Sequence, residues 1–479
     1  MAIATDGFVP RPLLPTLVLL STLLPAGAHA ADESMASLPT DPDLAELIRQ
    51  SLAARPELQA VDARARAEKE RVPQAEAFPA PVLSFGIQND GFTSIEIGSA
   101  ETSFLSIMLA QTLPWPGKRA LRGEVAGLGA EEARTAVTRA QLSTEADVRR
   151  AYVDLLLARG RLALLDKLAL LWQKSAALAK ARYEVGGGPQ SDMLRAQLEL
   201  VRLQQRRLAL AADERTRLQA LNRLRGHPLD EAVATNVVLP DLARPLALPA
   251  AEEVADAEAR SPELAGVRVD VRRADRGSDL ARKDQYPDFT VSAGVMVRGA
   301  MPPMWQLGLA IDLPILWGRT RRAGAIAESD LRATASRSSA EAVLQILRQR
   351  VAERHTVLET LLETERLYRD GLLIQSNATV DSTLAQYRVG KVTFASVFEA
   401  IAGYIGDEDA YLQTLADLQR LAIARAEVSV APTAIAATAG MGAAAVPGGG
   451  AMGAGAVPAG TAGTSETTGA APSGSMSRM

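Results

Sequence analysis

The stretch Leu105-Ser106-Ile107-Met108-Leu109-Ala110-Gln111-Thr112-Leu113-Pro114-Trp115-Pro116-Gly117-Lys118-Arg119 changes its periodicity midway. Leu105, Ile107 and Leu109 recur at every second position, the spacing of a strand with one apolar face. After Gly117 nothing breaks a helix firmly until Gly186. At 1.5 Å per residue such a helix would reach about 100 Å, longer than any globular domain requires. Upstream, Leu83, Phe85 and Ile87 alternate with Ser84, Gly86 and Gln88, and the polar stretch Asn89 to Thr102 joins the two strands. Downstream, Val185-Gly186-Gly187-Gly188-Pro189 predicts a sharp turn into a second helix, with Ser191 as its cap candidate.

The whole unit occurs twice. Pro56-Glu57-Leu58 returns as Pro262-Glu263-Leu264, Phe78-Pro79 as Tyr286-Pro287 and Leu113-Pro114 as Leu313-Pro314. Ala181-Arg182-Tyr183-Glu184-Val185-Gly186 returns as Ala385-Gln386-Tyr387-Arg388-Val389-Gly390, and Thr393 is the cap candidate of the second return helix. The offsets of 200 to 208 residues exceed any solenoid period, so the repeat is a duplicated half. The second half repeats the strand pattern too. Phe289, Val291, Ala293, Val295 and Val297 alternate with Thr290, Ser292, Gly294, Met296 and Arg298, and Trp305, Leu307, Leu309 and Ile311 with Gln306, Gly308, Ala310 and Asp312.

All four strands are apolar on one face only, and nine of the 19 aromatic residues fall in the windows 78–117 and 286–317, close to strand ends. Alternation alone fits an ordinary half-buried sheet equally well. The aromatics near the ends, strands of about 10 residues and evidence of export favour a transmembrane β-barrel. Four strands cannot close one, and an open edge in lipid would strand backbone N–H and C=O groups, so several chains must pool their strands. Bacterial barrels start at about 8 strands, which two chains would supply, while three would supply twelve.

The long helix carries more than one seam. Val148, Leu155, Leu162, Ala169, Ala176 and Tyr183 recur every seven residues, followed three residues later by Ala151, Ala158, Leu165, Trp172 and Ala179. A further stripe of Leu157, Leu164, Leu171 and Leu178 lies opposite. A helix with two seams has a neighbour on each side, as in a wall of helices. Shorter helices precede the strands. One starts at Asp41-Pro42-Asp43, with Asp as cap, and breaks before Pro56; its counterpart runs from about Pro249 and breaks before Pro262.

Arg11, the apolar stretch Leu13 to Leu24 and the small-x-small site Ala28-His29-Ala30 read as a secretory signal peptide, too short to span a membrane. The chain is thus divided into a signal peptide at 1–30, a first repeat at 31–225, a linker at 226–250, a second repeat at 251–428 and a disordered Ala/Gly-rich tail at 429–479. Within the repeats, strands are expected at about 82–90, 103–113, 288–298 and 304–313. Long helices are expected at about 118–184 and 319–388, and return helices at about 191–225 and 394–427.

Composition excludes several functions. There is no Cys, hence no thiolate nucleophile, Cys metal site or lipidated N-terminal Cys. Only His29, His227 and His355 are present, and the first lies in the signal peptide, too few for a usual metal centre. Gly186-Gly187-Gly188 follows a helix and lacks the Lys-Ser/Thr of a phosphate loop. A net charge of -4 does not point to nucleic acid. No catalytic, cofactor or metal site is therefore expected, and the chain is not expected to be an enzyme.

Taken with the duplication, three motifs resemble the TolC-type outer membrane efflux proteins: Gln111-Thr112-Leu113-Pro114-Trp115-Pro116-Gly117-Lys118-Arg119, the half-end Leu224-Arg225-Gly226-His227-Pro228-Leu229, and the two Tyr-x-Val-Gly turns. The resemblance covers about residues 41–428, and the Leu-Pro-Trp-Pro-Gly-Lys-Arg form looks most like members associated with heavy-metal or other RND-type exporters. It implies a mostly α fold with a transmembrane β part: a homotrimer whose 12-stranded β-barrel in outer membrane lipid continues into a periplasmic α-barrel of long antiparallel helices. The implied function is the exit duct of a tripartite efflux system, in the outer membrane of a Gram-negative bacterium. It would pass substrates such as heavy-metal cations or drugs from an inner-membrane RND-type pump and a periplasmic adaptor to the exterior. Some members are anchored through a lipidated Cys; here the barrel itself would have to hold the chain.

The resemblance carries adaptor contact to Val185, Gly186, Val389 and Gly390. It carries the periplasmic gate to the positions just past these tips, where Asp192, Arg195, Ser396 and Glu399 stand, Arg195 being the candidate partner of Glu399. One acid that the family pattern leads one to expect is replaced by Ser396. Arg298 and Asp312 are expected in the barrel lumen. The alternative is an exported periplasmic coiled-coil adaptor without a pore, which would account for the helical hairpins but not for the strands.

Overall fold

The computed structural model describes residues 42–312 and 318–432. The signal peptide, the Asp41 cap, the Leu313-Pro314 and Trp317 positions and residues 433–479 of the expected tail lie outside the described residues. The first half consists of α1 (Pro42–Ala54), α2 (Pro56–Glu76), β1 (Val82–Gln88), β2 (Phe104–Leu113), α3 (Lys118–Glu184) and α4 (Gln190–Arg225). A linker with one 3-10 turn, Leu239–Asp241, leads to the second half. That half holds α5 (Ala250–Arg260), α6 (Pro262–Lys283), β3 (Phe289–Arg298), β4 (Met301–Ile311), α7 (Arg319–Leu367), α8 (Leu373–Arg388) and α9 (Phe394–Glu427). Among the described residues, no helix is long and apolar enough to cross a membrane.

The strands form one antiparallel sheet in the order β1-β2-β3-β4, so β1 and β4 are unpaired edges. Register aligns the apolar residues in rows: Phe85–Ile107–Val295–Trp305 and Leu83–Leu109–Ala293–Leu307. That face is exposed, with Phe85 at 73%, Trp305 at 75% and Leu307 at 68%. The other face carries Ser84, Gly86, Ser106, Ser292, Gly308 and Gln306 together with Met108, Met296 and Met304. A Cβ at Gly86 would lie 2.7 Å from Ser106 Oγ, and one at Gly308 2.5 Å from Ser292 Oγ. β4 begins at Met301, three residues before the expected position 304. Its Pro302 and Pro303 are tolerated because an edge strand need not donate on both sides.

Helix α3 has neighbours on both sides along its length. Near the sheet it packs between α2 and α6; farther out it packs between α4 and α9, and α8 lies against α9. Two clusters result. One, around Val148, Tyr152, Leu155, Leu156, Leu221 and Leu415, takes in Leu239 and Leu242 of the linker. The other, around Leu168, Trp172, Ala196, Val380, Phe394 and Ile401, fills the far end. Each fully buried Leu or Phe contributes roughly 1.5–3 kcal/mol.

The first heptad stripe does not stay in the seam. Val148 and Leu155 are fully buried, but Tyr183 is 44% exposed, whereas Leu165, Trp172 and Ala179 of the second stripe remain buried. The neighbours of α3 change along its length, from α2 and α6 near the sheet to α4 and α9 farther out, and its buried face changes with them. The second long helix also departs from expectation: at Tyr368–Leu372 it widens into a π-turn between α7 and α8.

At the end of α9, Glu427 is buried between Arg139 and Arg150 of α3. Residues 429–432, expected in the tail, are among the described residues and are tied to the fold. Val428 and Val430 pack with Ala257, Leu264, Leu347 and Val351. Arg354 donates to the carbonyls of Ser429 and Ala431. Val428 adopts φ 51, the only positive φ outside glycine among the described residues. A left-handed β-branched residue costs about 1–3 kcal/mol, and burial holds it there.

Candidate functional site

Two places in the fold concentrate the motifs: the junction of sheet and helix, and the paired tips at the far ends of the helices. At the junction, Gly117 adopts φ 90 and lets the chain turn from β2 into α3. Trp115 stacks on Tyr286 (centroids 5.2 Å apart) and Phe289 (5.6 Å). The Lys118 ammonium is buried and donates to Asp288 (2.9 Å) and to the Tyr286 carbonyl (2.8 Å). Asp288 also accepts from the Trp115 backbone N–H at 2.8 Å. The Pro-Trp-Pro-Gly-Lys motif thus ties the first half to the second at the foot of the sheet.

Both tips close in the same way. The Gly187 N–H donates to the Arg182 carbonyl (2.8 Å), the Lys391 N–H to the Gln386 carbonyl (3.0 Å), and Gly186 (φ 70) and Gly390 (φ 78) occupy the left-handed position that glycine adopts without strain. Val185 and Val389, the last residues before these glycines, are 81% and 67% exposed. The cap candidates do not cap. Pro189 stands at the N-cap of α4, with Ser191 already inside the first turn. Thr393 stands at the N-cap of α9, but its hydroxyl lies 3.3 Å from Ser396 Oγ and makes no capping bond to the backbone.

A polar cluster bridges the tips. Tyr387, 1% exposed, donates its hydroxyl to Asp192 at 2.9 Å. Burial and then the Asp192 carboxylate push the phenol up to about 12. The Arg182 guanidinium lies 4.5 Å from the Tyr387 ring centroid and donates to the Tyr387 carbonyl (2.9 Å) and the Gly187 carbonyl (2.6 Å). Of the four gate candidates, only Asp192 enters this cluster. Ser396 turns toward Thr393, and Arg195 and Glu399 are exposed and form no ion pair among the described residues, so their expected partnership is not made within one chain. Arg182 and Tyr387 were not singled out from sequence for this role. The signal was present in the Tyr-x-Val-Gly turns, but nothing separates Tyr183, exposed, from Tyr387, buried, except the neighbours each helix acquires.

The lumen candidates lie at opposite ends of the sheet. Arg298, on the face opposite the apolar rows, donates to the Pro302 carbonyl (2.8 Å) in the tight β3–β4 turn. Asp312 follows β4 at the helical end, its N–H donating to the Asp288 carbonyl at 3.2 Å.

A four-stranded sheet with one exposed apolar face, open at both edges and continued by helices of this length, defines the protomer of an outer-membrane channel. Residues 47–227 and 254–424 match the outer membrane efflux protein family. The chain belongs to that family, which comprises efflux proteins and not enzymes. Over 189 residues it is 31% identical to Protein CyaE of Bordetella pertussis, a match covering 38% of this chain and 39% of that relative. Its fold resembles that of the outer-membrane channel OprN, with TM-score 0.66 at 20% identity over 81% of this chain and 90% of the other. It also resembles VceC of Vibrio cholerae (0.66, 17%, over 81% and 96%) and CusC (0.67, 15%, over 88% and 98%).

Proposed function

We propose that three copies of this chain form the outer-membrane exit duct of a tripartite efflux assembly, each giving four strands to a 12-stranded barrel and its helices to a periplasmic tunnel. The observation that carries the proposal is the sheet. Its apolar rows are exposed, the opposite face sets Ser, Gly and Gln beside three Met, and both edges lack partners within the chain. In lipid those edges must be paired, and β4 of one copy with β1 of the next closes the ring. On the same proposal Val185, Gly186, Val389 and Gly390 meet a periplasmic adaptor that couples the duct to an inner-membrane RND-type pump, and the cargo is a heavy-metal cation or drug. Asp192, Arg195, Ser396 and Glu399 would then form the periplasmic gate. Its support is that Arg195 and Glu399 are exposed and without ion pairs among the described residues, available to the next copy. Arg298 and Asp312 would face the lumen.

The test is extraction and mass. The full chain is expected to leave outer membranes only in detergent and to run as a heat-modifiable trimer. Release by carbonate without detergent, or a folded monomer by light scattering, would overturn the proposal in favour of a pore-less periplasmic adaptor.

A further inference from the structure

The two tips of one chain share a backbone but not a charge. Superposed on Gly186 and Gly390, Glu184 stands where Arg388 does, and Gly187 where Lys391 does. Glu184 has Lys180 one turn away at 3.9 Å. Arg388 and Lys391 are exposed, and neither forms an ion pair among the described residues. Between them stands Val389, whose side chain the turn does not require, because Gly390 supplies the left-handed conformation. The second tip therefore presents an apolar knob flanked by two free cations.

The remaining cation nearby is not available. Arg182 spends its donors on Tyr387 and Gly187, and its Nη2 lies 3.3 Å from where a Cβ on Gly390 would be. It ties the second tip to the first, so the knob and its cations are held in place before any partner arrives. Preorganisation of this kind lowers the ordering cost of association, and surface charge sets partner choice and its salt dependence.

We infer that the partner surface received by the Arg388-Val389-Gly390-Lys391 tip is an acidic protein surface, with carboxylates on either side of an apolar seat. This rests on the proposal that the tips are the docking end and adds the chemistry of the partner. Anisotropy of two fluorescein-labelled helical-hairpin peptides tests it on the full-length protein in detergent. The peptides have equal length and a Leu turn flanked by Glu in one and by Lys in the other. The Glu peptide is expected to bind, about tenfold or more weakly at about 300 mM than at about 50 mM salt. The Lys peptide is expected not to bind. The double variant Arg388→Glu/Lys391→Glu should exchange the preference, while Glu184→Lys should leave it intact. Equal binding of both peptides, survival of Glu-peptide binding after the charge reversal, or equal binding to phosphatidylglycerol vesicles would each overturn the inference. A photo-cross-linking residue at Val389 in cells separates the two levels. Cross-links to a periplasmic protein whose yield ignores the charge reversal leave docking standing and remove the acidic partner. No cross-link from Val389 or Val185 removes docking itself.

Discussion

Tyr387 adds a side-chain hydrogen bond between the two tips to the packing of α9 on α3. Removing its hydroxyl leaves the ring packed on Phe394 (5.5 Å) and on Arg182, and deletes only the bond to Asp192. Tyr387→Phe is therefore expected to cost about 0.5–1.5 kcal/mol and to raise hydrogen exchange at both tips without unfolding the rest. A raised phenol contributes stability below the ordinary tyrosine value of about 10. That stability is lost as pH rises toward about 12, so the bond is expected to hold unchanged across pH 5–9. Glu399 bears on the gate. Three such carboxylates converging near an axis would repel by about 1 kcal/mol per pair. Glu399→Ala is accordingly expected to change single-channel conductance and cation block in planar bilayers, and Arg195→Ala to loosen the closed state. Unaltered conductance and block in Glu399→Ala would remove that residue from the gate and leave Asp192. A different cost falls on Glu427→Gln, after which Arg139 keeps Glu263 and Arg150 keeps Asp147 but both lose their shared buried carboxylate. About 1–3 kcal/mol of destabilisation is expected, read as a fall in the thermal midpoint.

At the scale of elements, the long helices differ in one respect that the duplication conceals. α3 runs unbroken from Lys118 to Glu184, while its counterpart holds the π-turn Tyr368–Leu372, where one residue beyond the α repeat is accommodated. Deleting Gly371 should restore a plain helix with α8 close to its present rotation, since the wide turn is what absorbs the extra residue. Val380 and Tyr387 would stay in the tip core, and the variant is expected to keep wild-type hydrogen exchange at the tips. Loss of tip protection would show that the π-turn itself is needed there. Such an insertion cannot be read from sequence, since the surrounding periodicity is intact and Gly371 is a lone glycine. The strands could be read, because period-two alternation lasts through each of them, and so could α3, because no breaker occurs before Gly186. Which stripe stays buried could not, since it depends on which helices lie alongside α3. The Arg182–Tyr387–Asp192 cluster was equally hidden, joining residues 195 and 205 positions apart.

For the whole molecule, the proposed trimer pairs the open edges of the sheet between neighbouring copies. Truncation after Pro432 is expected to leave the trimer and its heat-modifiability intact, since residues 433–479 offer no apolar face. Truncation after Glu427 removes Val428, Val430 and the acceptors of Arg354, and is expected to lower the melting temperature measurably. A trimer lost in the first truncation would show that the tail is structural. The order β1-β2-β3-β4 has a consequence for descent. The β2–β3 seam, inside one chain, joins the end of one repeat to the start of the next, the same kind of seam that β4 and β1 would form between neighbours. A ring built this way is sixfold in its joints and threefold only in its covalent continuity. An ancestor encoded at half length could have closed the same ring as six identical subunits, and the fusion that followed freed the two tips to diverge into one with Glu184 and one with Arg388 and Lys391.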